Sequence, residues 1–244
     1  EEQSCSSSES DGSCSSSLEE QSCSSSEFDA SSSSYFSYDC VYSNERLVCA
    51  SKTYSTVTIG NQTWTRENMA VALEGAFCYS SASSCDSLGY YYAYSAASNA
   101  CPTGWHLPSG AEWDTLIENV GGVANAGRVL KAITGWNSSS SGSDAYSFSA
   151  VPAGKARICK YIDVTRSSSS SGTTFSIVSY TYYNDVGSAA YWWTTDLYSN
   201  SSQAYSRYIT TTSDSIKTGL HSSKDPISSG SEEFLTVRCV MDSP

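Results

Sequence analysis

Basic side chains are scarce in this 244-residue chain: Lys and Arg total 13 against 25 Asp and Glu, for a formal net charge of −12. A phosphate backbone needs a positive surface, so nucleic acid is excluded as a partner. Histidine is scarcer still, with His106 and His221 as the only imidazoles, and no Cys-x-x-Cys pair occurs. Zinc-ligand spacing is therefore missing, and no metal or cofactor is expected. No Gly-x-Ser-x-Gly turn is present to expose a nucleophilic serine, and a Ser-His-acid triad would have to use one of the two histidines. No apolar run reaches the roughly 18 residues of a membrane span, so no transmembrane segment is expected. Starting at Glu1 without a signal-like stretch, the chain reads as a processed, secreted product.

What is abundant is sulfur and aromatic rings. Ten cysteines, six tryptophans and eighteen tyrosines point to an extracellular protein stabilised by disulfides and packed rings. The charge is concentrated at one end. Residues 1–34 hold Glu1, Glu2, Glu9, Asp11, Glu19, Glu20, Glu27 and Asp29 with no Lys or Arg, in a nonapeptide repeat that places Cys5, Cys14 and Cys23 nine residues apart. Serine-rich acidic sequence buries too little apolar surface to offset chain entropy, which predicts a disordered linker. Repeated cysteines in an oxidising compartment argue for a crosslinked arm instead. Extended, 34 residues reach about 110 Å at most, far enough to lie across a neighbouring subunit, and a head-to-tail contact of that kind yields a filament.

Cys40 and Cys49 flank a short turn and suit a disulfide-closed hairpin over residues 35–53, ahead of a main domain over 54–244. Cys78 and Cys85 close another short loop. Thr56 to Trp64 alternates as a strand, Tyr90 to Asn99 reads as an aromatic-rich helix, and Ala111 to Val120 as a second helix. Ser109 and Glu112 form a Ser-x-x-Glu capping box at the start of that second helix, with Trp113, Leu116, Ile117 and Val120 on one stripe and Gly121-Gly122 beyond. Residues Arg128 to Ile133 suggest a third short helix. Thr173 to Tyr183, Ala189 to Thr195, Ala204 to Thr212 and Leu235 to Met241 are β-branched and aromatic, as strands are.

Several stretches carry a family resemblance: Cys101-Pro102-Thr103-Gly104-Trp105-His106-Leu107-Pro108-Ser109 with Glu112-Trp113, Thr58 to Trp64 with Glu67-Asn68, Asp144 to Ala150 with Pro152-Ala153-Gly154, Ala190-Tyr191-Trp192-Trp193, and Val237-Arg238-Cys239-Val240. Over about residues 54 to 242 the chain resembles the Fibrobacter major paralogous domain of secreted and surface-anchored bacterial proteins. More remotely it is similar to the C-type-lectin-like fold and to formylglycine-generating enzymes. The resemblance implies an α+β, C-type-lectin-like class, with two or three short helices on mixed antiparallel sheets. It also implies a Cys101–Cys239 bridge and a binding face near Tyr191, Trp192, Trp193, Asp196, Tyr198, Tyr205, Arg207 and Tyr208. Trp192 and Trp193 are adjacent on a strand, so alternation puts one inward and one outward. Cys159 and the three arm cysteines remain: either the arm folds back on Cys159 or at least one bridge joins two molecules.

No residue is expected to be catalytic. His106 sits in the structural turn and suits packing or hydrogen bonding, His221 reads as a solvated loop residue, and Asp114 with Glu118 as the polar face of a helix. The formylglycine enzymes use a cysteine pair, and no second cysteine lies near Cys239. Calcium-dependent sugar binding lacks its Pro-containing loop. Asn61, Asn137 and Asn200 match N-glycosylation sites, while Ser87 and Ser215, and less convincingly Thr115, follow an aspartate as bacterial O-acceptors do. The expectation is a non-enzymatic structural or adhesive protein at the bacterial cell surface, self-assembling into a filament through its arm. The alternatives are a monomeric adhesin that binds polysaccharide, with the tail as a stalk, and an oxidoreductase like the formylglycine enzymes.

Overall fold

The structure is a computed structural model that describes residues 40–49, 52–137, 142–166, 173–199, 202–223 and 230–243. The 1–34 arm with Cys5, Cys14 and Cys23, and the candidate acceptor Asn200, lie outside the described residues. In chain order the elements are β1 (Cys40–Ser43), β2 (Arg46–Cys49), β3 (Lys52–Ile59), β4 (Gln62–Thr65), α1 (Ala82–Leu88), β5 (Tyr92–Ala93), α2 (Tyr94–Ala97), β6 (Trp105–His106), α3 (Gly110–Asn119), α4 (Val123–Leu130), β7 (Lys155–Arg166), β8 (Thr173–Asn184), β9 (Ala189–Leu197), β10 (Gln203–Thr210), β11 (Ile216–Ser222), β12 (Gly230–Leu235) and β13 (Val240–Met241).

This corrects the expected α+β, lectin-like class. The chain is mostly β, built of antiparallel sheets, and its helices are short. One sheet runs β1-β2-β3-β4-β13-β6, another β11-β10-β9, and a third β5-β12-β7-β8. The reason lies in composition: from Lys155 to Ser222 the chain is dense in Tyr, Thr, Ile and Val, which pack well on a pleated surface and lose rotamer freedom in a helix. The helix expected over Tyr90 to Asn99 is instead the short strand β5, the single turn α2 and a 3-10 turn, Ser98–Ala100. The strand expected over Thr56 to Trp64 is a hairpin, because Gly60 takes φ +63° and turns the chain between β3 and β4. The β1-β2 hairpin joins the rest: β2 pairs with β3, and Leu47 and Cys49 enter a core with Tyr54, Met69 and Trp193.

The capped helix forms where its signals stand. Ser109 Oγ accepts from the Glu112 amide at 3.2 Å and Glu112 Oε2 accepts from the Ser109 amide at 2.8 Å, so two helix-end donors are satisfied reciprocally. Trp113, Leu116, Ile117 and Val120 are all buried and pack with Trp64, Phe148 and Trp192. Three disulfides join pairs of described residues, Cys40–Cys49, Cys78–Cys85 and Cys101–Cys239, the last spanning 138 residues. A loop of that length constrains the unfolded chain by about 4 to 5 kcal/mol in the entropic account.

Beside that bridge lies Arg238, fully buried. Its Nε donates to Asn68 Oδ1 at 2.9 Å, Nη1 to the carbonyls of Thr65 at 3.0 Å and Phe148 at 2.7 Å, and Nη2 to the Ser149 carbonyl at 3.0 Å. The guanidinium also lies 4.5 Å from the Phe148 ring centroid. Burial pulls its pKa down to about 9, against the distant pull of Glu67 and Asp144, so it remains charged at neutral pH. Removing it takes the guanidinium donors from three main-chain carbonyls and leaves Asn68 Oδ1 with Trp192 as its donor. Arg238→Met is expected to lower unfolding free energy by about 4 kcal/mol and Arg238→Lys, which keeps charge but not the planar fork, by about 2 kcal/mol. Urea denaturation checks this; a loss below about 1 kcal/mol for both would show the cation to be dispensable.

Candidate functional site

The residues proposed for recognition fall on β9, β10 and the turn between them, and the structure divides them. Trp192 and Trp193 do point to opposite faces, but both faces are covered. Trp192 packs 5.4 Å from Trp113 and donates to Asn68 Oδ1 at 2.9 Å. Trp193 meets the edges of Tyr94 and His221 and donates to the Tyr92 carbonyl at 2.8 Å. Neither is exposed, so the expected outward tryptophan does not exist. Helices α3 and α4 lie over one side of β9, and β5, α2 and the Thr236–Cys239 segment over the other. A strand buried on both faces carries apolar residues without alternation.

Asp196 and Arg207 are committed inward. Asp196 Oδ2 accepts the Gly110 amide at 3.0 Å at the start of α3, and Arg207 Nη2 bonds Asp114 at 2.7 Å and the Gly110 carbonyl at 3.1 Å. Together they fasten the helix start to the three-stranded sheet. The four tyrosines stay at the surface. Tyr191 stacks on Tyr208 at 5.2 Å and 20°, donates to Asp185 at 2.8 Å and lies under the Lys155 ammonium. Burial and the bond to Asp185 raise its hydroxyl pKa. Tyr198 is 42% exposed, with Tyr205 6.0 Å away edge-on.

Behind the stacked pair the structure assembles a group that sequence reasoning missed. His221, expected in a solvated loop, sits on β11 and is buried. Its Nε2 is 3.0 Å from Ser206 Oγ on β10 and its Nδ1 is 3.1 Å from Glu233 Oε2 on β12. Glu233 Oε1 holds Lys155 Nζ at 2.7 Å and Arg157 Nη2 at 3.3 Å. Burial raises the Glu233 pKa, but the bonds and charges of His221 and Lys155 outweigh it and leave the carboxyl well below the usual range. The order and spacing are those of a Ser-His-acid triad. Access is not: Ser206 is 0% exposed, and Gly219 crosses so close that a Cβ there would stand 2.6 Å from Ser206 Oγ and 2.9 Å from His221 Nε2. What the group does is join the three-stranded sheet to the β12-β7 pair. The one clue in the sequence was Gly219, a small residue two positions from His221 and so on its face.

His106 bridges Asp242 at 2.5 Å and Glu112 at 2.6 Å, tying β6, the cap of α3 and the C-terminal segment together. Burial lowers its pKa, but the bonds to Asp242 and Glu112 carry it above its ordinary value. Among the glycosylation candidates, Asn61 lies in the exposed turn of the β3-β4 hairpin, Ser87 is exposed on α1, Asn137 is exposed beside Gly187, and Ser215 is half-buried before β11. No group of three or more His, Cys, Asp or Glu suited to a metal occurs among the described residues.

A family model described as the Fibrobacter succinogenes major domain matches residues 57–241, from within β3 to the end of β13. The chain belongs to the Fibrobacter succinogenes major domain family. No curated protein and no solved structure matches it. The match takes in Arg238, the capped helix, β9 and the Ser206–His221–Glu233 group, and ends one residue before Asp242. No helix among the described residues is long and apolar enough to cross a membrane.

The Glu233 carboxylate sets a pH dependence of known sign. A carboxyl whose folded pKa is depressed contributes stability that is complete above its unfolded value, near 4.5, and is lost as pH falls toward the folded value. Thermal midpoints of the wild type should therefore drop between about pH 5 and pH 2, while Glu233→Gln, less stable at neutral pH, should show a visibly flatter profile over that range. Parallel profiles would assign the acid sensitivity to other carboxyls.

Proposed function

We propose that this protein is a non-enzymatic, extracellular structural or adhesive subunit, assembling with copies of itself at a bacterial cell surface through its N-terminal arm. The observation that carries the reading is the contrast between a sealed interior and an adhesive exterior. The one Ser-His-Glu arrangement among the described residues has its serine wholly enclosed, and Cys239, also enclosed, is spent in the bridge to Cys101. The β7-β8 ribbon, by contrast, exposes Ile162, Ile177, Tyr180 and Tyr183, and the β1-β2 hairpin exposes Val41, Tyr42 and Val48. Apolar surface of this kind on long exposed ribbons suits contact with another protein surface. Three disulfides among the described residues and little basic charge agree with a secreted setting.

Electron microscopy of the oxidised full chain, beside a chain lacking residues 1–39, tests this reading. Filaments from the former and folded monomers from the latter, with unchanged tryptophan fluorescence, are the expected result. Monomers from both would defeat it.

The pair of exposed Tyr198 and half-buried Tyr205 favours one further reading, a monomeric adhesin whose rings stack on sugar faces. Under it, Tyr198→Ala with Tyr205→Ala would cut retention on insoluble polysaccharide about tenfold, roughly 1.4 kcal/mol, without changing the melting temperature. Under the assembly reading, retention is unaffected.

A further inference from the structure

We propose that His106 is the pin of a pH-sensitive latch: as an imidazolium it fastens Asp242, and with it the chain just after β13, to the cap of α3, and the loss of one proton unfastens it. The latch goes beyond the assembly reading and does not depend on it.

Geometry fixes the charge state in which the latch is closed. His106 Nδ1 lies 2.5 Å from Asp242 Oδ1 and Nε2 lies 2.6 Å from Glu112 Oε1, so each ring nitrogen faces a carboxyl oxygen. An ionised carboxylate only accepts and a neutral imidazole carries a single N–H, so only the doubly protonated ring donates to both. Glu112 faces the ring from α3 and Asp242 from the segment after β13, while β13 itself brings the uncharged Val240 and Met241 alongside β6. Among the described residues no Lys or Arg bonds either carboxylate, which leaves the imidazolium as their cation. Burial opposes the charged ring, yet the bonds to Asp242 and Glu112 outweigh it and hold the pKa above its ordinary value. Burial likewise opposes the Glu112 charge, but the Ser109 amide and the imidazole keep that carboxyl below its ordinary range.

The two carboxylates are held unequally. Glu112 Oε2 also accepts from the Ser109 amide and hydroxyl, each at 2.8 Å, and so stays with the helix cap whatever the ring does. Asp242 has His106 as its one side-chain partner among the described residues, and its side chain is 55% exposed. Once a proton leaves, the remaining N–H serves one carboxylate and the lone pair on the other nitrogen repels the second. Asp242, the less firmly held, is the one released. Its departure loosens a short strap, in which the Asp242 amide donates to the Gly104 carbonyl at 3.0 Å and Met241 pairs with Trp105. Trp105 is buried, with Tyr42 of β1 edge-on at 5.5 Å, so the strap lies beside the point where the β1-β2 hairpin rests on the domain.

Linkage gives the direction. A group whose folded pKa is raised contributes stability that is complete below its unfolded value, near 6.5, and is lost as pH rises through the folded value. The latch is therefore closed in weakly acidic surroundings and open in alkaline ones.

Heteronuclear NMR of the full chain tests this, with His106 identified as the imidazole signal missing from His106→Gln. At about pH 6 the ring should show two protonated nitrogens. Its midpoint should lie above 6.5, and the hydrogen-exchange protection of the Asp242 amide should fall about tenfold across that midpoint. In Asp242→Asn the midpoint should move down and the step in protection should vanish, because a side-chain amide bonds either form of the ring. A ring with one protonated nitrogen at about pH 6, a midpoint at or below 6.5, or protection that is level across the midpoint overturns the proposal. So does an Asp242→Asn protein that keeps the wild-type step. None of these readouts involves filaments, so failure here is distinct from failure of the assembly reading.

Discussion

A positive charge buried without a directly bonded carboxylate is the constraint around which this domain is arranged. Arg238 lies where β4, the Phe148-Ser149 segment and the strand leading to β13 converge, and its bonds end on one side-chain amide and three main-chain carbonyls. Each acceptor must be in place for the cation to be tolerated, because its desolvation is repaid only by a complete set of bonds. Asn68 is the hinge of the arrangement, accepting from both Arg238 and Trp192 while donating to the Leu88 carbonyl. One polar side chain thus relates β9, the C-terminal segment and the chain beside α1. The neighbouring Cys101–Cys239 bridge fixes the same segment covalently.

From that anchor follows the two-sided burial of β9. With the C-terminal segment pinned on one side and α3 held by Asp196 and Arg207 on the other, neither face of the strand is left for solvent at Trp192 and Trp193, and the adjacent tryptophans both become interior. The Ser206–His221–Glu233 group is the same principle at smaller scale: polar side chains enclosed where sheets meet, each donor and acceptor matched, with a glycine admitting the close approach. Enclosure suits these groups to holding sheets together and withholds them from substrates. The surface that remains is tyrosine-rich, and the β7-β8 ribbon exposes the apolar side chains of Ile162 and Ile177.

Much of the local structure was legible in advance. Helix α3 could be read from Ser109, Glu112 and the Trp113-Leu116-Ile117-Val120 spacing, since a cap and a stripe are properties of neighbouring residues. The short disulfides could be read because their cysteines flank turns, and the strands over Thr173 to Asn184 and Ala189 to Leu197 because β-branched and aromatic residues crowd there. Other readings went astray for physical reasons. Tyr90 to Asn99 lacks both a cap and a clean stripe, so edge pairing with β12 drew Tyr92 and Ala93 into a strand. The fold class drawn from a remote likeness gave too much weight to the helices. His221 looked solvated because its serine neighbours suggested a loop, whereas pairing with β10 made the segment a strand.

The sequence by itself determined the acidic arm and its cysteine spacing, the capped helix, the strand-forming stretches and the family to which the domain belongs, because these depend on residues close together in the chain or on patterns kept in order along it. Tertiary structure alone decided that Trp192 and Trp193 are both interior, that Ser206, His221 and Glu233 meet, and that Arg238 finds its oxygens. Those outcomes depend on which surfaces cover a strand from either side, and that is set by pairings across scores of residues that no local pattern encodes.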